Sequence, residues 1–384
     1  MPFQTLFDFR FPTHLIHGPG AITRLPEFLP TDQKTLIVTD KGLRAAGQVG
    51  QVTVVLDQAG IDYAMFDDVL GNPPARCVHA GQKLYNKEAC NNILAIGGGS
   101  PMDVAKMIGV LATNPGRIER YLGPGKVENA PPPIICVPTT YGTGSEVTPF
   151  AVLTNTKTKN KDPVISPKII PSVAVLDPEL SVGLPALLGG ATGMDALTHA
   201  LESYINLLAT PLTEGIALTA IQLIADNIRL ACANDYELEA TENMLIGSML
   251  AGVAFTQTRL GNVHAMSHPV GAHFNVHHGL ANAVLLPYVM EFNLPARIDK
   301  FAVIAEAMGT DTGGMDPYDA AHLAIDTVRQ YNRDLGIPDK LAATGVKRSA
   351  IKAMSASAMQ SGNIAVNPRK TTQDDIETIF RHAI

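Results

Sequence analysis

The strongest constraint on what this chain can fold into is a change of pattern near residue 186. Before it, short β-rich runs alternate with helical stretches: TLIVTD, TVVLD, IDYAMF, NILAI and IICVP all read as strands. Such alternation predicts a doubly wound α/β domain with a mostly parallel sheet. After it, patterns such as PLTEGIALTAIQLIADNIRLA and ATENMLIGSMLAGVAFTQTRL are long and helical, so an all-helical domain follows. A chain of 384 residues exceeds what one core usually supports, which agrees with a division into residues 1–186 and 187–384. LGGATGMDAL reads as the hinge between them. The Pro-Gly run from Gly123 to Pro133 reads as a surface loop.

The helical half carries an unusual set of metal-type ligands. In GMDALTHALESY, Asp195 and His199 are four residues apart, about one helical turn, so carboxylate and imidazole share a face. GNVHAMSHPVGAHFNVHHG holds five of the eleven histidines, with His264 and His268 again at i,i+4 and His278 just before a glycine. Asp195, His199, His264 and His278 can enclose one divalent ion, and one carboxylate with three imidazoles suits Fe, Zn, Co or Ni better than Mg or Ca. An Asp-x-x-x-His pair also arises as an ordinary helical neighbour pair. HAMSH lacks the glutamate of HExxH, which removes the zinc-protease reading. His273 and His277 read as surplus members of the cluster.

Two segments of the first half are built for close approach to a phosphate. NNILAIGGGSPMDVAK reads as a buried strand from Ile93 to Ile96, a glycine turn, and a helix with Ser100 at its N-cap and Pro101 at its first position. Such a turn brings backbone N–H groups and a positive helix end near an anion. PIICVPTTYGTGSEVT repeats the logic, with a strand from Ile134 to Val137 feeding a loop rich in hydroxyls and glycines. An ordinary polar turn is the plainer reading of that loop. Asp40, at the end of TLIVTD, stands where dinucleotide folds commonly place an acid on the adenosine ribose, which favours NAD(H) over NADP(H); it reads equally as a helix cap.

Composition removes other classes of function. A net charge of -7 with scattered Lys and Arg gives no nucleic-acid footprint. Cys77, Cys90, Cys136 and Cys232 are far apart with no CxxC, so reduced thiols in a cytoplasm are expected. MPFQTLFDFRFPTHLIHG lacks the pattern of a secretory signal, and no window is expected to reach the length of a membrane span.

In this order, GGGSPMDVAK, PTTYGTGSEVT, SPKIIPSVAVLDPEL, GMDALTHALESY, AFTQTRLGNVHAMSHPVGAHFNVHHGLANAVLLP and VNPRKTTQDDIETIF resemble the iron-containing, or group III, alcohol dehydrogenase family over essentially the whole chain. The resemblance implies a Rossmann-like parallel-sheet domain and a helical metal domain facing each other across a cleft. It implies Fe2+ (with Zn2+ as the other candidate) on Asp195, His199, His264 and His278, and hydride transfer between a short primary alcohol or diol and NAD. His268 matches the family histidine near the nicotinamide and would relay the alcohol proton. Gly98, Gly99, Ser100 and Asp103 would meet the pyrophosphate, and Thr139, Thr140, Thr143 and Ser145 would complete that wall. Lys161 would lie at the nicotinamide ribose and Asn72 at the nicotinamide end of the cleft. Phe255, Arg259 and Asn363 fall where substrate should sit.

Departures from the family pattern cluster there too: Gln257 replaces Asn, Arg259 a small residue, His273 an aromatic or aliphatic one, HHG the frequent PHG, and Ser361 an Asp. A hydroxyacid dehydrogenase using Arg259 as a carboxylate anchor is therefore an alternative. A lyase resembling dehydroquinate synthase is a second. A small-molecule alcohol or aldehyde is the expected partner, and the family suggests a homodimer or larger homo-oligomer joined through the N-terminal segment.

Overall fold

The computed structural model describes residues 7–155, 160–234 and 236–384. Part of the N-terminal segment expected to join protomers, residues 1–6, lies outside them. In chain order the first half contains β1 (His14–His17), β2 (Thr35–Val38), α1 (Lys41–Ala46), α2 (Gln48–Gln58), β3 (Tyr63–Phe66), α3 (Ala75–Lys87), β4 (Asn92–Gly97), α4 (Gly99–Thr113), β5 (Gly123–Pro124), β6 (Ile134–Pro138), β7 (Phe150–Asn155), β8 (Asn160–Ile165) and β9 (Val173–Leu176). Six strands form one parallel sheet in the order β1-β9-β6-β4-β2-β3, and β5, β8 and β7 form a small second sheet. Successive side chains of the central strands enter opposite cores, Leu36, Ile93 and Ile134 on one face and Ile37, Leu94 and Ile135 on the other. Burial on both faces explains why these strands read as unbroken apolar runs.

One expected strand is a helix. TVVLD lies within α2, where Val49, Val52 and Leu56 are the buried positions. Their spacing of three and four is helical, and a parallel β2–β3 pair needs a crossover that only a helix supplies here. The β-branched run pointed the other way because its local propensity is weaker than that tertiary demand.

From Ala186 onward the described residues contain no strand. The helices are α5 (Ala186–Ile205), α6 (Pro211–Ala233), α7 (Leu238–Thr258), α8 (Asn262–Phe274), α9 (His278–Asn293), α10 (Ile298–Ala307), α11 (Pro317–Asp334), α12 (Ile351–Ala358) and α13 (Gln373–Ala383). LGGATGMDAL is no hinge: it is continuous helix inside α5. Its glycines serve packing. A Cβ at Gly189 would lie 2.6 Å from the Tyr141 hydroxyl, and one at Gly193 2.8 Å from Ile228.

The expectation that no window reaches membrane-span length also needs correcting. Pro211–Ala233 is long and apolar enough by composition, with a mean hydropathy of 1.4. Its apolar side nonetheless packs inward through Ala217, Ile221, Ile224 and Ile228 within the helical core. This is the stripe of a helix that covers a core.

Candidate active site

The metal-type ligands converge. Asp195 Oδ1 lies 3.9 Å from His199 Nε2, 3.6 Å from His264 Nε2 and 3.9 Å from His278 Nε2. Metal–nitrogen bonds of about 2.0–2.1 Å in a tetrahedron would set roughly 3.4 Å between ligand atoms; those of Asp195, His199 and His264 all lie within 4.8 Å of one another, and His278 joins them through its approach to Asp195. Three helices supply it: α5 gives Asp195 and His199, α8 gives His264, and α9 opens with His278. Gly279 makes the last placement possible, since a Cβ there would stand 2.3 Å from the Ala191 carbonyl oxygen of α5.

Two further residues complete the centre. Glu202, buried at 3% exposure, accepts from His264 Nδ1 at 2.6 Å and from the Gly261 and Val263 amides at 2.9 and 2.6 Å. It thereby turns His264 Nε2 toward Asp195 and fixes the turn into α8. Asn282, fully buried, donates from Nδ2 to Asp195 Oδ1 at 2.5 Å and also lies 3.0 Å from His264 Nε2 and 3.2 Å from His278 Nε2. One amide has two hydrogens for these three acceptor positions, while its Oδ1 is buried without a partner. Its partly positive NH2 group therefore sits among three donor atoms suited to a cation, which is the observation that fits a metal to this site. Both residues escaped sequence reasoning, although each carried a signal. Glu202 continues the i, i+4, i+7 polar stripe of Asp195 and His199 along a buried apolar helix, and Asn282 is one turn after His278.

The charge states suit ligation at His199 and His278, whereas His264 would give up a proton to an ion. Burial pulls His199 down to about 4 against the opposing pull of Asp195, and burial likewise holds His278 well below the ordinary range. Both imidazoles are neutral, as ligation requires. Burial opposes a charge on His264 too, but Glu202 and Asp195 outweigh it and raise it to about 9. Asp195 is held well below the usual carboxylate range, because His199, His278 and His264 outweigh its burial. His268, one turn past His264, stands with its ring 5.4 Å from that of His278; burial first, then His264 and Lys161, lower it to about 3. His273 and His277 are exposed, as expected of surplus members.

The opposite wall is made at the carboxyl ends of β2, β4 and β6, where doubly wound sheets hold ligands. α4 starts two residues earlier than expected: Gly98 is its N-cap and Ser100 caps nothing, because Gly97, at φ 147°, lets the chain turn into the helix sooner. The two glycine loops touch. A Cβ at Gly98 would lie 3.0 Å from Thr140 Oγ1, and one at Gly99 2.9 Å from Thr143 Cγ2. Thr39 Oγ1 and Thr139 Oγ1, at the ends of the two strands that flank β4, are buried without hydrogen-bond partners. Unanswered hydroxyls beside a glycine cradle fit a polar ligand such as a dinucleotide.

Asp103 and Ser145 are engaged with each other rather than open: Ser145 Oγ donates to Asp103 Oδ1 at 2.9 Å, and the Val152 amide to Asp103 Oδ2 at 3.0 Å. Beneath them the fully buried Lys106 donates to the carbonyls of Ser145, Thr148 and Phe150 at 2.6, 2.9 and 2.8 Å. Lys161 Nζ donates to Asn72 Oδ1 at 2.5 Å, and Asn72, at φ 57°, donates to Asn275 Oδ1 across the cleft at 3.1 Å. Burial lowers Lys161 to about 8. Asp40 is a helix cap, accepting from the Leu43 amide at 3.0 Å through Oδ1, which leaves Oδ2 for a ribose.

Of the substrate-side residues, Phe255 is placed against the metal ligands, with its ring 4.6 Å from that of His199 and 6.0 Å from Phe150. Arg259 ends α7 at φ 67°, ψ -169°, a region that favours glycine. Its exposed guanidinium packs on Gly362, beside Asn363.

Comparison with known proteins matches this arrangement. A family model described as iron-containing alcohol dehydrogenase fits residues 12–178, and one for the C-terminal part of the Fe-containing alcohol dehydrogenase family fits residues 190–384. A 1,3-propanediol dehydrogenase of Citrobacter freundii is 47% identical over 382 residues, covering 98% of this chain and 99% of the relative. An NAD-dependent methanol dehydrogenase of Bacillus methanolicus is 41% identical over 381 residues, covering 98% and 100%. The crystal structure of a 1,3-propanediol oxidoreductase superposes with a TM-score of 0.96 at 45% identity, covering 99% of this chain and 100% of that one.

Proposed function

The chain belongs to the iron-containing alcohol dehydrogenase family and is an oxidoreductase of alcohols that uses NAD(H) and Fe2+; from that premise we propose that it interconverts short primary alcohols, diols above all, with their aldehydes. Residues 1–186 are the dinucleotide half and residues 187–384 the metal half. The observation that carries this reading is the convergence of Asp195, His199, His264 and His278 opposite the glycine and threonine loops.

When bound, Fe2+ supplies Lewis acidity toward the alcohol oxygen and NAD+ accepts the hydride. The chain's own residues do the rest. Asp195 and the three imidazoles hold the ion, and Glu202 keeps His264 in the tautomer that presents Nε2. Phe255 and Phe150 give the cleft an apolar wall beside His199, which excludes water from the reacting carbon. His268 is neutral and can take up the alcohol proton without retaining it, so it serves as a relay toward solvent. Lys161, positioned by Asn72, would donate to the ribose at the nicotinamide end. Gly98, Gly99, Ser100, Thr139, Thr140 and Thr143 would face the phosphates, with Asp103 and Ser145 bracing their wall.

The resemblance to a 1,3-propanediol dehydrogenase favours a three-carbon diol. Arg259 packs against the 361–363 loop, which gives the hydroxyacid reading no specific support. A homodimer or larger homo-oligomer belongs to the proposal, with exposed Phe7 and Phe11 available to an interface, as does a cytoplasmic setting for four unpaired thiols.

A substrate panel with NAD+ and Fe2+ under anaerobic conditions tests it. We expect kcat/KM for 1,3-propanediol to exceed that for 3-hydroxypropionate by roughly ten-fold or more, since a pocket without a paired cation leaves a carboxylate uncompensated. The reverse order would establish the hydroxyacid reading, and failure to accumulate NADH from any alcohol would point to a lyase.

A further inference from the structure

The two imidazoles that face each other in the metal centre are held from behind in different ways. His264 is anchored by Glu202, which also binds the Gly261 and Val263 amides, all within the helical half. His199 is anchored across the cleft: its Nδ1–H donates to the Gly142 carbonyl at 3.1 Å, and both groups are buried. Gly142 lies in the loop between β6 and β7, whose Thr140 and Thr143 touch the Gly98 and Gly99 turn.

That loop has little freedom to move independently of either side. A Cβ at Gly142 would lie 2.9 Å from Thr192 Cβ and 3.0 Å from the Thr192 carbonyl oxygen of α5. Two residues on, Gly144 at φ 59° lies so close to α7 that a Cβ there would stand 2.7 Å from Gly252 Cα. Its far end is clamped by Lys106 and Asp103.

We infer that the Gly142 carbonyl is a positioning group for His199, so that dinucleotide seated on the 139–145 loop and metal seated on His199 strengthen each other's binding. A ligand seated on the loop bears on the carbonyl through it, the carbonyl holds the ring, and the ring would then present Nε2 to the ion. Linkage makes the effect reciprocal. The inference rests on the reading that this loop meets the dinucleotide.

ADP-ribose is the probe that separates the loop from the nicotinamide, because it occupies the phosphate wall and places no ring beside the metal. Co2+ is titrated into metal-stripped full-length protein with and without saturating ADP-ribose, and followed by its visible absorption bands. ADP-ribose should tighten Co2+ binding by about 5- to 150-fold, the usual span of such couplings, and Co2+ should tighten ADP-ribose by the same factor. Glu202→Gln should weaken Co2+ equally in both conditions and keep the factor, because its anchor does not touch the loop. Gly142→Ala, which forces the carbonyl away from its place against Thr192, should bring the factor close to one.

A factor of one in the wild type with ADP-ribose still bound would overturn the inference alone. Absence of ADP-ribose binding would overturn the loop assignment and the inference with it. An unchanged factor in Gly142→Ala would overturn the route. If that variant does not fold, loss of the factor in Glu202→Gln would overturn it instead.

Discussion

On the helical side of the cleft, every group that would touch the ion is a long side chain fixed by helix geometry and by buried partners such as Glu202 and Asn282. On the sheet side, the groups facing the cofactor are backbone amides and short hydroxyls on turns, held from beneath by Lys106 and Asp103. The first side is a preformed cage whose loss is all-or-none. The second is a surface that spreads its interactions over many weak donors. Single substitutions should therefore act steeply on the metal side and shallowly on the cofactor side.

The largest expected effect is His264→Ala. Removing a ligand at the centre of the cage should strip the metal and cost several kcal/mol of Lewis-acid stabilisation, about a thousand-fold or more in kcat/KM. His277→Ala, on an exposed neighbour, should keep both; metal analysis with initial rates separates the two, and equal iron in both variants would dissolve the cage.

Glu202→Gln comes next. It retains the shape but loses the carboxylate that orients His264, and metal affinity measured by chelator competition should fall about 10- to 100-fold while the dinucleotide Kd of the metal-free protein is unchanged. An unaltered metal Kd would make Glu202 a helix-turn fastener and nothing more.

On the sheet side, Asp40→Gly should leave metal content alone and shift cofactor choice. A carboxylate beside a 2′-phosphate costs about 1 to 4 kcal/mol, so the NADP-to-NAD ratio of kcat/KM should rise roughly five-fold or more. The lost cap at Leu43 costs only a few tenths of a kcal/mol when glycine replaces it, so folding should be unaffected. If the ratio does not move, Asp40 acts as a cap alone.

The smallest effect is a pH dependence. Lys161 is lowered to about 8 by burial, so its ammonium donates below that pH and is lost above it. NADH affinity should weaken a few-fold as pH rises through about 8, and Lys161→Met should be weak and flat across that range. A wild-type Kd that stays constant to pH 9.5 would remove Lys161 from the ribose.

The same contrast explains what could be read in advance. Asp195, His199 and His264 were legible because helical spacing converts directly into a shared face. Glu202 and Asn282 were not, since their roles depend on which helices meet. The strands β2, β4 and β6 were legible as apolar runs, whereas TVVLD misled because β-branched residues in a crossover helix look like a strand. LGGATGMDAL misled in a similar way, its glycines serving close helix contacts with Tyr141, Ile228 and Leu335. The engagement of Asp103 with Ser145, and of Gly142 with His199, is tertiary throughout.

The central claim is metal-dependent hydride transfer from an alcohol carbon to NAD. Its most direct test follows 1,3-propanediol deuterated at both C1 and C3 with NAD+ and anaerobic protein titrated with Fe2+. The account predicts reduced cofactor carrying one deuterium, formed in step with the aldehyde, at a rate that saturates at about one iron per chain. Turnover in fully chelated protein, or reduced cofactor without the label, would contradict it.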